Sequence, residues 1–469
     1  MKAFLLNPPT GRYMRSDRCQ APVDTRIAEP ARPPMDLAYM AAVLESMGLE
    51  CKIKDYPMEQ KGWDAVSADI EHFMPDLLII NTTTPTIEND LLVCDLAKKI
   101  NPPVKTIAKG AHFFVYDREI MNKFKGLDIL IRGEPELTIK ELAENNDYSG
   151  VSGVTFRRSN EIIRNTDRPF IQNIDELPFP ARHLLNNRLY LTPDTKETLA
   201  FITVSRGCPG SCIFCAAGLV SGSKLRIRSI DNVIQEIEEC ITKYDIRNFF
   251  FSADTFTWDK QWVIELCTQL TKKNLHIRWG ANSRVDTLDE EMAAGMKKAG
   301  CYIIGFGAES ANQPILDRIK KGITVGQIEQ AVNLCKKYNV NSFLVFIIGL
   351  PWETHDTIKE TVKFVKRTAA SFIEVNIAYP LPGTVFYNIA KENRLFDDAL
   401  LAGHDYSNPL VKSLSLSTQE LIKLRKKILR AFYMRPGYIL KQIAQIKKIN
   451  VAFSYLNYGI RLINNLLKT

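Results

Sequence analysis

The chain has 469 residues, with 61 Lys and Arg against 53 Asp and Glu for a formal net charge of +8. At 45% apolar and 24% charged it is composed like a globular protein, which excludes a disordered or fibrous one. Its longest nearly uncharged apolar run, Phe343 to Leu350, is far short of the roughly 20 residues of a membrane span.

Met1 to Leu6 turns straight into Asn7-Pro8-Pro9, leaving no apolar signal-peptide region. Ala3–Leu6 reads as a strand and Asp36–Met47 as a helix with Leu37, Met40, Ala41 and Leu44 on one face. Cys51–Ile53 follows as a short strand, and Asp76–Ile80 is a continuous apolar run of the kind buried on both faces of a parallel sheet. Leu91–Ile100, Val104–Ala108, Leu127–Ile131 and Leu137–Ala143 then read as helix, strand, strand and helix. This alternation predicts a doubly wound α/β domain over residues 1–150. Ligands of such a sheet bind at the carboxyl ends of its strands. Those ends carry Asn7-Pro8-Pro9, Asn81 to Thr86, Lys109 to His112 and Arg132-Gly133-Glu134.

Residues 151–199 read as a hairpin around Ser159-Asn160 and a proline-stiffened linker, Asp175 to Pro180. A second α/β series occupies 200–395. Its strands are Phe201–Val204, Phe249–Phe251, Ile277–Gly280, Tyr302–Phe306, Phe343–Ile348 and Phe372–Ile377. Six such units, with helical patterns at Asn232–Ile241, Trp262–Thr271 and Ile328–Lys337, predict a partial barrel. Residues 396–469 form a basic helical region. Ser417 to Glu420 is a capping box opening a helix with Leu421, Leu424, Ile428 and Phe432 on one face, and Pro436 ends it. From Lys412 onward twelve Lys and Arg face one acid, Glu420, so this tail carries +11 and everything before it −3. Three readings of the tail stand: a basic amphipathic surface for anionic lipid, an RNA contact, or a solvated face on a helix whose stripe packs on the barrel. Its aromatics, Phe432, Tyr433, Phe453, Tyr455 and Tyr458, point toward a greasy surface or substrate.

Ten cysteines are too dilute for a disulfide scaffold and point to a reducing, cytoplasmic compartment. Cys208, Cys212 and Cys215 have the spacing C-x-x-x-C-x-x-C directly after an apolar strand. Three thiolates on one tight loop can ligate three irons of a 4Fe–4S cluster and leave the fourth iron open. Gly207, Pro209 and Gly210 let the loop wrap closely. A structural zinc site would want a fourth ligand, and the nearest further His or Cys are His183 and Cys240. Cys51, Cys94, Cys240, Cys267, Cys301 and Cys335 read as small buried hydrophobes. Cys19, in a polar loop at the ligand end of the first sheet, is a candidate functional thiol.

With Phe214 before its last cysteine, this triad resembles that of the radical SAM enzymes. The resemblance implies SAM contacts at Phe214, Asp254, Arg284, Glu309 and Gly349, although Ala253-Asp254 replaces the usual Gly-Gly-Glu. Residues 1–150 resemble the Rossmann-like cobalamin-binding domain that precedes the radical module in one large subclass. That implies cobalamin contacts at Asn7, Pro8, Thr82, Thr83, Thr84, Thr86, Gly110, His112, Gly133 and Glu134. No histidine follows the D-x-H-x-x-G pattern, so a histidine cobalt ligand through that motif is not expected. The implied activity is reductive cleavage of SAM to a 5′-deoxyadenosyl radical and methylation of an unactivated carbon of a lipid or secondary metabolite. The resemblance also implies a one-electron reductant of flavodoxin or ferredoxin type. Alternatives are a radical ring-forming or rearranging enzyme, a tRNA methylthiotransferase built on Cys19, Cys51 and Cys94, and a non-catalytic cobalamin sensor. Nucleic acid is not the favoured partner, since no C-terminal RNA-binding β-barrel is evident.

Overall fold

The computed structural model describes residues 1–17, 20–23, 30–405 and 409–444. The strands β1 (Lys2–Asn7), β2 (Glu50–Asp55), β3 (Leu77–Asn81), β4 (Lys105–Lys109) and β5 (Ile129–Ile131) are parallel, in the order β2-β1-β3-β4-β5. Apolar side chains leave both faces of this sheet. One layer gathers Leu5, Ile79 and Ile107 under Leu37, Met40 and Leu44 of helix Met35–Ser46. The other packs Phe4, Leu78 and Ala108 against Val66, Ile70, Val93 and Phe113. The order reverses between β1 and β3, and this opens a crevice at their carboxyl ends.

The first sheet does not stop at residue 150. β6 (Val154–Arg158) and β7 (Glu161–Arg164), the hairpin assigned to the linker, extend it antiparallel beyond β5. The reason is a spare edge. β5 would otherwise leave a row of unpaired backbone groups, and the hairpin adds Val154 and Phe156 to the core beneath it. Two helices not evident in the sequence, Trp63–Phe73 and Phe113–Lys123, complete the layers.

The linker is stitched to both domains. Ala181 N donates to Ala38 O at 3.0 Å, and buried Arg182 donates to Phe201 O at 2.7 Å while pairing with Glu236 at 2.5 Å. Beyond it come β8 (Leu199–Thr203), a two-stranded ribbon of β9 (Ser205–Arg206) and β10 (Arg226–Ile227), then β11 (Asn248–Ser252), β12 (Arg278–Ser283), β13 (Cys301–Glu309), β14 (Asn341–Ile348) and β15 (Phe372–Ile377). Six of these form one all-parallel sheet, β15-β14-β13-β12-β11-β8, the expected partial barrel.

β15 is an edge strand, and the basic tail covers it. In helix Thr418–Tyr433 the stripe Leu421, Leu424, Ile428 and Phe432 is buried against the barrel. Arg425 Nε donates to Val375 O at 2.6 Å. Tyr433 Oη donates to Ile373 O at 2.7 Å and accepts from Ile373 N at 3.1 Å. This stripe is therefore a barrel seal, and it is not available to lipid or RNA. Pro436 both follows that helix and opens the next, Pro436–Ala444, at a position where its missing N–H is harmless. The rest of the tail, 445–469, lies outside the described residues.

Candidate active site at the domain junction

The three thiols occupy the loop between β9 and helix Ala217–Val220, each half-buried. Gly207 has φ +87, and a Cβ there would collide with Lys224 O, so only glycine lets the loop close against β10. Backbone N–H groups of Gly210 and Ala217 lie 3.4 Å from the sulfurs of Cys208 and Cys215. The thiols are strung along the loop: among the described residues no three His, Cys, Asp or Glu side chains converge as an ion cage. The fit to a cluster thus rests on the donor set, three thiols with N–H donors beside two of them. Among the described residues the nearest further His and Cys in sequence are engaged elsewhere: His183 is exposed and bound to Glu45, and Cys240 is buried in helix Ile230–Tyr244.

The expected SAM residues lie along the barrel strands and the thiol loop. Phe214 is half-buried against the barrel core. Asp254, after β11, lines a cleft of about 170 Å3 between the two domains. Arg284 is buried, with Nε and Nη2 each 2.9 Å from the Asp286 carboxylate. Glu309 ends β13 at a register shift, with φ +60 and its carboxylate 2.7 Å from Lys321 Nζ. Burial pushes the Cys212 thiol up, and Lys321 and Arg284 work against that rise. Lys321 escaped the sequence reading; an alternating pattern cannot place a lone lysine beyond a short helix. Gly349 has a packing role: a Cβ there would meet Leu421 at 3.0 Å and Ile377 at 3.3 Å. Its N–H donates at 2.6 Å to Glu353, a carboxylate pushed up to about 8 by burial although two backbone N–H groups oppose the shift.

Across the cleft, the carboxyl ends of β1, β3 and β4 bring together most of the cobalamin candidates. Asn7 Oδ1, Thr84 Oγ1 and His112 Nδ1 are buried and lack a hydrogen-bond partner among the described residues, as does Gln20 Nε2. A buried polar atom left unpaired costs about 1–3 kcal/mol, so such a group asks for a ligand that can bond it. The polar edges of a corrinoid answer that description. The other threonines are already engaged: Thr82 Oγ1 donates to Lys109 O at 3.0 Å, and Thr83 and Thr86 share a hydroxyl bond that leads to buried Asp90. Gly110 crosses so near Thr82 that a Cβ would collide with its hydroxyl. Pro8 shapes the turn after β1, its carbonyl accepting from Thr10 N at 2.8 Å, and Gly133 turns the chain at φ +81.

Glu134 lines the cleft and is also held by arginines of the ribbon. Its carboxylate takes two 2.8 Å bonds from Arg226 of β10 and one of 2.8 Å from Ile171 N, and Arg206 of β9 lies 3.3 Å away. Glu136 takes Arg206 at 2.5 Å. These buried pairs tie the end of β5 to the ribbon that brackets the thiol loop, and so hold the two half-sites in register. Neither arginine was singled out from the sequence.

His112 stacks on Tyr116 at 4.9 Å, and burial drives its pKa down to about 4. The unfolded chain protonates this ring near 6.5, so stability is full above that pH and falls as pH drops toward 4. Urea unfolding of the apoprotein between pH 6.5 and 4 is expected to lose stability at up to about 1.4 kcal/mol per pH unit from this group. His112→Gln should flatten that slope.

Cys94 is buried within helix Leu92–Ile100 and Cys51 lies on β2, where burial pushes its thiol up to about 12. Neither sits at a strand end, which removes the second-cluster arrangement; Cys19 lies outside the described residues.

Family models match two parts of the chain, the B12 binding domain over residues 28–143 and the Radical SAM superfamily over 202–365. An uncharacterized methyltransferase of Pyrococcus horikoshii is 32% identical, over 94% of this chain and 95% of its own. The anaerobic magnesium-protoporphyrin IX monomethyl ester cyclase of Rubrivivax gelatinosus is 26% identical over 87% of this chain and 75% of its own. The solved structure of the radical S-adenosylmethionine methyltransferase TsrM from Kitasatospora setae, with cobalamin and a [4Fe-4S] cluster bound, shares the fold. It gives a TM-score of 0.73 over 99% of both chains at 15% identity. A three-thiol loop on a partial barrel, facing the strand ends of a B12-binding domain across one cleft, is an enzyme's arrangement. The chain belongs to the radical SAM enzymes that carry an N-terminal B12-binding domain, whose cofactors are a 4Fe–4S cluster, SAM and cobalamin.

Proposed function

We propose that the protein methylates an unactivated carbon of a small-molecule substrate, a lipid or a secondary metabolite. The observation that carries this reading is the shared cleft: Asn7 and Gly133 line one wall, and Ser205, Ser221 and Asp254, beside the thiol loop, line the other. When bound, the cluster and SAM supply a hydrogen-abstracting radical and cobalamin supplies methyl transfer. The chain's own residues have narrower tasks. Cys208, Cys212 and Cys215 hold the cluster; Arg284, Glu309 and Asp254 orient SAM; Asn7, Thr84 and His112 hold the corrinoid edge. The buried Glu134–Arg226 and Glu136–Arg206 pairs fix the distance between the two walls.

Atom balance supplies the test. A methyl group leaving SAM yields S-adenosylhomocysteine, and hydrogen abstraction yields 5′-deoxyadenosine. The protein, purified with cobalamin and reconstituted anaerobically with iron and sulfide, is incubated with reductant, methyl-labelled SAM and lipid or metabolite extracts. Both products in equal amounts, with label in an extract component, are expected. 5′-Deoxyadenosine alone would instead support a ring-forming reaction, the second reading, which the similarity to the Rubrivivax cyclase favours. A loaded protein that makes neither product sinks the proposal.

For partners we propose an external one-electron carrier of flavodoxin or ferredoxin type. We also propose salt-sensitive contact of the C-terminal end with anionic lipid. It is supported by the exposure of Ile439 and Leu440 on the last described helix and by the basic composition beyond it. No helix among the described residues is long and apolar enough to cross a membrane.

A further inference from the structure

Glu309 entered the site from the sequence without its counter-ion. Lys321 is buried and sits on a turn that touches three parts of the site at once. Its ammonium lies 2.7 Å from Glu309 Oε1. Its carbonyl accepts from Arg284 Nη2 at 2.8 Å. Two residues earlier, Ile319 O accepts from Ile213 N at 3.1 Å, a backbone bond into the thiol loop between Cys212 and Phe214. Gly307 makes room for this assembly, since a Cβ there would run into both Glu309 Oε1 and Lys321 Nζ.

We propose that Lys321 is a positioning residue for the radical chemistry, holding the Glu309 carboxylate toward SAM and fixing a cation on the turn that is bonded to the thiol loop next to Cys212. The inference rests on the cluster and SAM assignment above and adds a residue that tunes it. Packing alone does not ask for a charge at this place. A buried ion pair is often replaceable by apolar side chains with no loss of stability, so its merit lies elsewhere. Three thiolates outweigh the positive core of an oxidised 4Fe–4S cluster, so the loaded site is negative, and reduction adds one more electron from the external carrier. A cation fixed on the Cys212 side favours the reduced state and raises the reduction potential.

The test is a redox titration of the reconstituted protein, followed by electron paramagnetic resonance, with a SAM-binding isotherm on the same samples. Lys321→Met, at wild-type iron and sulfide content, is expected to show about tenfold less reduced cluster at a fixed poise, a downward shift of about 59 mV for one electron. SAM binding should weaken about tenfold, and Lys321→Arg should recover the potential. Glu309→Gln, which leaves the ammonium uncompensated, should move the potential upward. A fully loaded Lys321→Met with the wild-type potential would falsify the proposal. So would shifts of the two variants in the same direction. If Lys321→Met loads no cluster, Glu309→Gln decides alone, and no upward shift overturns the assignment. A wild-type protein that loads no 4Fe–4S cluster would instead overturn the functional reading beneath it.

Discussion

Cys208→Ala is expected to bring 5′-deoxyadenosine formation down to that of a control without enzyme, with the cluster's absorbance and spin signal lost. The loop offers three thiols, and among the described residues the nearest candidates in sequence are no substitute: His183 points to Glu45 and Cys240 is sealed within its helix. Two thiolates cannot keep three irons of a cluster in place, so the effect is all-or-none. Cys335→Ala is the matching control. That thiol is fully buried away from the loop, burial pushes it up to about 12, and its loss should leave SAM cleavage intact. A Cys208→Ala protein that still makes 5′-deoxyadenosine would remove the cluster assignment.

The second large effect is expected from Arg226→Ala. Both ends of the pair are buried, and deleting the guanidinium leaves the Glu134 carboxylate with only Ile171 N and the more distant Arg206, and frees Ile171 O. Removing one partner of a buried ion pair costs about 3–5 kcal/mol, because a charge is left in a poor solvent. Urea unfolding of wild type and variant at neutral pH measures that loss. Arg226→Met with Glu134→Gln, which removes both charges and keeps the volume, should recover most of it. A loss under about 1 kcal/mol would mean that water reaches the pair and that it does not lock the junction.

Strands and thiols were legible in the sequence; the joints between them were not. Leu77 to Ile80, apolar on both faces, is readable as a buried parallel strand because its neighbours do not alter that requirement. The C-x-x-x-C-x-x-C spacing is local and needs no partner to be seen. Helix Trp63–Phe73 escaped because its stripe is sparse, with only Val66, Ile70 and Phe73 buried. Phe113–Lys123 escaped because it is broken at Tyr116, where φ is −109. Glu134 reads as a ligand contact because its strand end faces the cleft. Its ion-pair partner, Arg226, is 92 residues distant, and no periodicity carries that distance. Gly349 reads as a SAM contact from its local motif, and the packing of Leu421 from the tail helix against it is a second demand for a missing side chain that the motif does not show. The tail's charge was equally ambiguous. A stripe of Leu421, Leu424, Ile428 and Phe432 looks the same whether its counterpart is lipid or a barrel wall, and only the bonds from Arg425 and Tyr433 to β15 decide.

That seal bears on how the protein is made. Synthesis runs from the amino end, so β15 emerges from the ribosome well before the helix that covers it. During that interval the half-finished barrel displays Ile373 and Val375 backbone groups to any passing strand, the exposure that invites aggregation. Translation must proceed through Tyr433 before the sheet is closed. A message cut short after β15 would therefore encode all three thiols and every SAM candidate, and still yield a chain fit mainly for degradation.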